Sequence, residues 1–204
     1  MWTCITKGAT VTMPSNSINI RRFISYKFFN SLFLGLSVGT IFIIYTPLEP
    51  SVYSLGGVLL ALSMLVIAKF YTKILILYYF FRISFLVESV MLILISYFLL
   101  VSYGYTTALI IYIGYQSTFA FGSYLVRAET ILLPKAKILT FLDVTKQKGY
   151  LAGMVLSYLF YKFLDLSFDI QDAHETVYLL HFLLLVIEVI TMFYLYLAFT
   201  KSKG

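Results

Sequence analysis

The segment ILILYYFFRISFLVESVMLILISYFLLV, residues 74–101, decides the fold class of this chain. Arg82 and Glu88 are its only charged residues, and it is longer than the roughly 20 apolar residues that cross a bilayer as a helix. Water-soluble folds do not need an apolar run of this length. The segment therefore predicts a transmembrane helix.

Similar runs occur along most of the chain. The 204 residues are 61% hydrophobic and 12% charged, whereas an ordinary soluble domain has about 45–50% apolar and about 25% charged residues. Breaking the sequence at charges, prolines and glycines yields five further apolar segments, at residues 23–46, 52–70, 106–126, 149–166 and 176–199. We therefore predict an all-α, polytopic integral membrane protein with six transmembrane helices in one domain, residues 21–204.

The segments between the spans differ in length. Residues 1–20, which include the single cysteine, Cys4, are polar and predict a disordered tail. Residues 127–148 predict a cytoplasmic loop, in which residues 131–142 have the pattern of an amphipathic helix at the membrane surface. The turns at residues 47–50 and 102–105 are so short that spans one and two, and spans three and four, are expected to be antiparallel neighbours.

Positive charge is distributed unevenly across these six spans. All 15 Lys and Arg residues except Lys162 fall on one side, with Lys27 and Arg82 assigned to that side because their long stems can reach it. Such an excess marks the cytoplasmic side and predicts that both termini are cytoplasmic. The net charge of +6 is thus a topology signal and does not indicate nucleic acid. Since no organelle-targeting segment is evident, we expect a bacterial inner membrane.

A few polar residues lie inside the apolar spans, where a charge is costly and often functional. Glu88, Gln116 and Glu188 fall near the middle of spans three, four and six, and His181 precedes Glu188 by two helical turns. Facing lipid would leave these groups unsatisfied, so we expect them to line a central polar path. One interpretation makes the glutamates proton or cation carriers. The other makes them structural, as protonated donors or as partners of Arg82 and Arg127.

Arg127 and Glu129 close the cytoplasmic end of span four. They are typical of an interfacial anchor with its counter-ion. In a transporter they could instead form, with Arg82, a cytoplasmic gate that breaks when that side opens.

Several functional classes lack their signatures. The sequence has no phosphate-binding glycine loop, nucleophile elbow or zinc-protease motif, so we predict no enzymatic activity. Both histidines lie on one segment, which disfavours a haem, and the acidic loop with Asp169, Asp172 and Glu175 is expected to be solvated and metal-free. We predict no cofactor. The 18 Tyr and 19 Phe residues suit membrane-interface belts, although they could line a site for a quinone or lipid.

Residues 45–73 carry a resemblance to a known family. A proline-containing turn follows Tyr45, Gly56 and Gly57 begin span two, and a short basic turn from Lys69 to Lys73 ends it. With six spans, this resembles one half of a major facilitator superfamily transporter. The superfamily has twelve spans in two halves, so the resemblance implies that this chain works as a homodimer or with another membrane subunit.

Two functions follow as hypotheses. The first is a half-size transporter that moves a small solute or ion through the polar path. The second is a non-catalytic accessory or scaffold subunit of a larger membrane complex, in which the same polar groups contact a neighbouring chain. The lipid bilayer surrounds the protein in either case.

Overall fold

The computed structural model describes residues 18–133 and 135–200 of the chain. The predicted disordered tail therefore lies outside the described residues up to residue 17. The helices are α1 (Ile20–Ile44), α2 (Pro50–Lys69), α3 (Tyr71–Ile74), α4 (Leu77–Leu100), α5 (Tyr105–Ala120), α6 (Gly122–Leu132), α7 (Ala136–Phe168) and α8 (Ala173–Phe199).

Six helices in the described part of the chain are long and apolar enough to cross a membrane, which confirms the predicted number of spans. Helices α5 and α6 together form the fourth of these, with a short break at Phe121. The described residues contain no strand. The chain is thus an all-helical, multi-pass membrane protein by length and composition.

Local signals explain where several helices begin and end. The Asn19 side chain accepts a hydrogen bond from the Arg22 amide and caps the start of α1. Pro50 occupies the first turn of α2, where its missing N–H costs nothing. At the far end of the chain, the Asp172 carboxylate accepts hydrogen bonds from the amides of His174 and Glu175 and caps α8.

Helix α7 differs from the prediction for this region. It is one helix of 33 residues, so its length is about 50 Å, against about 30 Å for the hydrocarbon core of a bilayer. The sequence predicts an amphipathic helix at the membrane surface over residues 131–142; residues 136–142 instead form the first turns of α7, and α6 ends at Leu132. Leu142 of α7 is buried in the cluster that includes Phe23 and Tyr26 of α1.

The helices pack in the order α7, α1, α8, α4, α5 and α2, which describes an open arc. Spans three and four, α4 and α5, are neighbours as predicted. Spans one and two are not, because α2 packs mainly against α5. Gly56 lets α2 approach the Tyr112 ring of α5 closely. Tyr53 of α2 packs against both Tyr112 and Tyr45, the residue that follows α1.

Glycines bring α1 and α7 together. A side chain at Gly35 would meet the Tyr150 carbonyl, and one at Gly153 would meet the backbone of Leu32 and Leu36. Close approach of backbones through small residues is a main source of van der Waals contact between membrane helices. These glycines are therefore the reason why α1 and α7 pack so closely along each other.

Two large apolar clusters lie in the interior, one towards each end of the helices, and a third, smaller cluster contains Leu48, Ala108 and Tyr112. We call the end at which α1 begins and α8 finishes the basic end; its cluster includes Phe23, Phe80 and Leu195. The opposite end carries Asp165, Asp169, Asp172 and Glu175, and we call it the acidic end. Its cluster includes Phe33, Leu36, Met91 and Leu184. The candidate site lies between these clusters.

Candidate functional site

Two carboxyl groups meet between the apolar clusters. Glu88 of α4 is 2% exposed and Glu188 of α8 is 0% exposed, and the two helices pack along each other. Their carboxyl groups interact electrostatically. The two glutamates that the sequence places at mid-span therefore face each other, and we call them the carboxyl pair.

Helix α1 completes the surroundings of Glu88. The Tyr26 hydroxyl donates to Glu88 Oε1 over 2.6 Å, and the Asn30 Nδ2 donates to the same oxygen over 2.9 Å. Tyr26 and Asn30 are four residues apart and therefore share a helix face. This face places two donors at one end of the carboxyl pair.

Glu188 has no such donors. Neither of its oxygens has a hydrogen-bond partner among the described residues. Tyr115 of α5 interacts electrostatically with Glu188. An unpartnered carboxylate in an apolar interior is costly, whereas a single proton between the two carboxyl groups would supply the missing donor. The geometry therefore suits a pair that holds one proton.

His181 and Gln116 lie away from this pair. His181 Nδ1 is 2.7 Å from the Val177 carbonyl of its own helix, and the imidazole packs against the Phe98 ring with centroids 4.0 Å apart. Gln116 is half-buried on α5, and its Oε1 lacks a hydrogen-bond partner in the described part of the chain. The structure thus packs Glu88 and Glu188 on neighbouring helices, and no hydrogen bond in the described part of the chain joins His181 or Gln116 to them.

A second buried polar cluster lies nearer the basic end. Glu129 of α6 forms ion pairs with Lys27 of α1 and with Lys146 of α7, the latter at 2.5 Å. The side chains of Lys27 and Glu129 are almost fully buried, at 7% and 4% exposed. Asp143, itself exposed, lies 3.5 Å from Lys146. We call Lys27, Glu129 and Lys146 the ionic clasp.

The two arginines predicted for a gate or pair lie elsewhere. Arg82 is exposed, with its guanidinium carbon 4.5 Å from the centre of the Tyr78 ring. Arg127 is exposed on α6. Of the three residues assigned to this end, only Glu129 enters a buried ion pair, and its partners are lysines. Since Arg127 and Glu129 are two residues apart on one helix, they point to different sides of it.

Sequence reasoning missed four residues of these clusters: Tyr26, Asn30, Lys27 and Lys146. Tyr26 and Asn30 are polar residues four apart in span one, a spacing that predicts a shared helix face and was a usable signal. Lys27 also lies in span one, but its long stem predicts a position near the membrane surface. Lys146 was assigned to a loop because span five was expected to begin at residue 149.

Comparisons with known proteins do not assign this chain to a family. No protein-family model, curated protein or solved structure matches the chain. Within the described residues, no group of three or more His, Cys, Asp and Glu side chains is arranged to hold a metal ion. Any functional interpretation therefore depends on the carboxyl pair and the ionic clasp themselves.

Proposed function

We propose that this chain is a half-size, proton-coupled transporter that moves a small solute or ion and works as an oligomer. The observation that carries the proposal is the carboxyl pair, buried at the centre of the bundle between helices α4 and α8. Ionisable residues inside a membrane are costly and typically mark proton relays or ion pathways.

The surroundings of the pair suit proton binding. Two carboxyl groups in contact cannot both ionise easily, so such pairs tend to bind a proton between them. Tyr26 and Asn30 hold Glu88 in place by two short hydrogen bonds, which leaves Glu188 as the group that exchanges the proton. A proton needs no cavity, so full burial of both carboxyl groups is compatible with proton binding.

The proposal extends to topology and family. We place the basic end in the cytoplasm, with both termini inside, because positive residues concentrate on the cytoplasmic side of membrane proteins. A bacterial inner membrane and a relation to half of a major facilitator superfamily transporter belong to the same hypothesis. The open arc supports it, since the helices at its two ends, α2 and α7, are the least buried of the six spans.

A second candidate function is a non-catalytic accessory subunit of a larger membrane complex. The observation that favours it is the exposure of α2, in which Gly56 is the one buried residue. Large apolar side chains such as Leu55, Leu59 and Leu62 are more than half exposed there. A neighbouring chain could cover this surface as readily as lipid does.

Charge movement after a pH jump tests the transporter. The purified protein is reconstituted in liposomes adsorbed on a solid-supported membrane, and transient currents are recorded when the external pH changes. We expect a transient from the native chain that is lost in Glu88→Gln and in Glu188→Gln. The exposed Glu175→Gln variant, at the acidic end, is the matched control and should keep the transient. Equal transients in all four proteins would overturn the proton-carrying role.

Native mass spectrometry of the detergent-extracted protein separates the two functions. A self-dimer that retains no other chain supports the half-size transporter. Other membrane subunits that remain bound at fixed stoichiometry, together with no pH-jump transient, support the accessory subunit instead.

A further inference from the structure

Lys27 lies between two acidic sites. Its ammonium forms an ion pair with Glu129, and it also interacts electrostatically with Glu88 of the carboxyl pair. The same ammonium is 4.9 Å from the centre of the Tyr26 ring, whose hydroxyl donates to Glu88. Lys27 is therefore a member of the ionic clasp that also lies beside Tyr26, the donor to the carboxyl pair.

The ionic clasp joins parts of the bundle that pack little against each other. Helix α6 packs mainly against α4, α5 and α2, whereas α7 packs mainly against α1. Glu129 of α6 reaches across to Lys27 of α1 and Lys146 of α7. The two ion pairs therefore close the open arc at its basic end.

The charges of the two clusters balance in only one protonation state. Together they contain two ammonium groups, on Lys27 and Lys146, and three carboxyl groups, on Glu129, Glu88 and Glu188. Their sum is neutral when the carboxyl pair holds one proton and becomes negative when that proton leaves. In an interior of low dielectric constant, an added negative charge attracts a nearby cation more strongly than it would in water. Lys27 is the cation that interacts electrostatically with Glu88.

We propose that Lys27 is a coupling residue: loss of the proton from the carboxyl pair draws Lys27 away from Glu129 and opens the ionic clasp between α1 and α6. This rests on the proposed proton-carrying function and names the element that the proton controls. Lys146 is then the last partner of Glu129, and as the most exposed member of the clasp it hydrates easily. The groups that face the pair are Tyr26 and Lys27 from α1 and Tyr115 from α5.

Distances between spin labels test the coupling. Labels are attached to Arg22→Cys on α1 and Ile131→Cys on α6, both exposed positions at the basic end, in a Cys4→Ser background. Pulsed electron paramagnetic resonance in liposomes then compares acidic with alkaline buffer. We expect one short distance in acid and a second, longer population in alkali. Asp143→Asn is the matched control, because it removes the exposed partner of Lys146, and should leave this response unchanged.

Further variants separate coupling from a merely structural role. The double variant Glu88→Gln, Glu188→Gln should keep the short distance at both pH values, and Lys27→Met should lose the pH response. Lys27→Arg, which keeps the charge, should restore it and shows that loss in Lys27→Met is not a folding defect. A longer population that still appears in alkali when both glutamates are replaced would overturn the coupling.

The test also distinguishes this inference from the function on which it rests. If pH-jump transients depend on Glu88 and Glu188 while the label distances stay constant, the coupling is wrong and the proton-carrying role stands. If the transients do not depend on the glutamates, the proposed function fails. A pH-dependent distance that disappears in Lys27→Met would then show that another group controls the clasp.

Discussion

Helices α1 and α2 are joined by one short turn, yet they have opposite positions in the bundle. In α1, 44% of the residues in the membrane-length part are buried, compared with 6% in α2. Helix α1 packs against α7 and α8 and supplies Tyr26, Lys27 and Asn30 to the two polar clusters. Helix α2 packs against α5 through Gly56 and faces outward elsewhere.

This difference indicates that polar residues and glycines distinguish a central span from a peripheral one. In a bilayer an apolar residue has a similar free energy against lipid and against protein, so apolar content does not decide which helix lies at the centre. Polar groups need partners, and small residues allow close contact. The two helices contain comparable Gly, Lys, Leu and Tyr residues, which allows the comparison to be tested in matched pairs.

The glycines are expected to show the largest effect. Gly35→Leu places a side chain against the Tyr150 carbonyl of α7, and backbone atoms cannot move aside as a side chain can. Over-packing typically costs about 1–3 kcal/mol, and we expect about 3 kcal/mol or more here. A Cβ atom added at Gly57 on α2 meets no atom within 4 Å, so Gly57→Leu points into open space and should be neutral. Unfolding in detergent measures both, and equal losses would refute the central position of α1.

The lysines are expected to show the second-largest effect on stability. Lys27→Met removes one of the two cations that compensate buried Glu129, and loss of a partner from a buried ion pair costs about 3 kcal/mol. Lys69→Met, in the exposed last turn of α2, should change stability by less than about 0.5 kcal/mol. Thermal unfolding followed by size-exclusion chromatography compares the two variants. A neutral Lys27→Met would mean that the lysine contributes no net stability.

The leucines test whether α1 and α2 also differ in apolar packing alone. Leu36→Ala on α1 leaves a cavity in the cluster near the acidic end, and buried Leu→Ala changes cost at least about 2 kcal/mol. Leu59→Ala on α2 is made at a side chain that is 55% exposed, so lipid fills the space and the change should stay within about 0.5 kcal/mol. Titration with a denaturing detergent gives both values. A loss in Leu59→Ala comparable to that in Leu36→Ala would indicate that a partner chain covers α2.

The tyrosines are expected to show the smallest effect on stability. Tyr26→Phe removes the 2.6 Å hydrogen bond to buried Glu88, and loss of a donor to a buried group costs about 1–3 kcal/mol. The remaining bond from Asn30 keeps the loss near the lower end of this range, about 1 kcal/mol. Tyr53→Phe removes an exposed hydrogen bond to the Tyr45 carbonyl and should cost less. Unfolding experiments run in parallel on the two variants test this order.

Sequence reasoning reached a good part of the fold and a smaller part of the site. Apolar runs and the cost of unsatisfied backbone in lipid are enough to predict six helices, because each run must satisfy its own hydrogen bonds. The mid-span positions of Glu88 and Glu188 also follow from counting along the chain. The start of α7 at Ala136 could not be predicted from the sequence. A charged segment that continues a helix beyond the apolar span has the composition of a loop, and only its packing shows that it is helical.

The partners of the buried charges needed the tertiary structure. Lys27 and Arg82 are both basic residues inside predicted spans, and hydropathy treats them alike. One is buried against Glu129 and the other lies over an exposed tyrosine. The difference arises from the rotation of each helix about its axis, which is set by the glycine contacts of α1 and by the packing of α4 against α8.

The sequence by itself determined the membrane class, the number of spans and the depth of the acidic residues, because length and hydropathy act within one helix at a time. Only the tertiary structure decided that α1 is central and α2 peripheral, that Glu88 faces Glu188, and that Glu129 takes two lysines as partners. These are relations between helices, and close packing and ion pairing select among many arrangements that hydropathy allows equally.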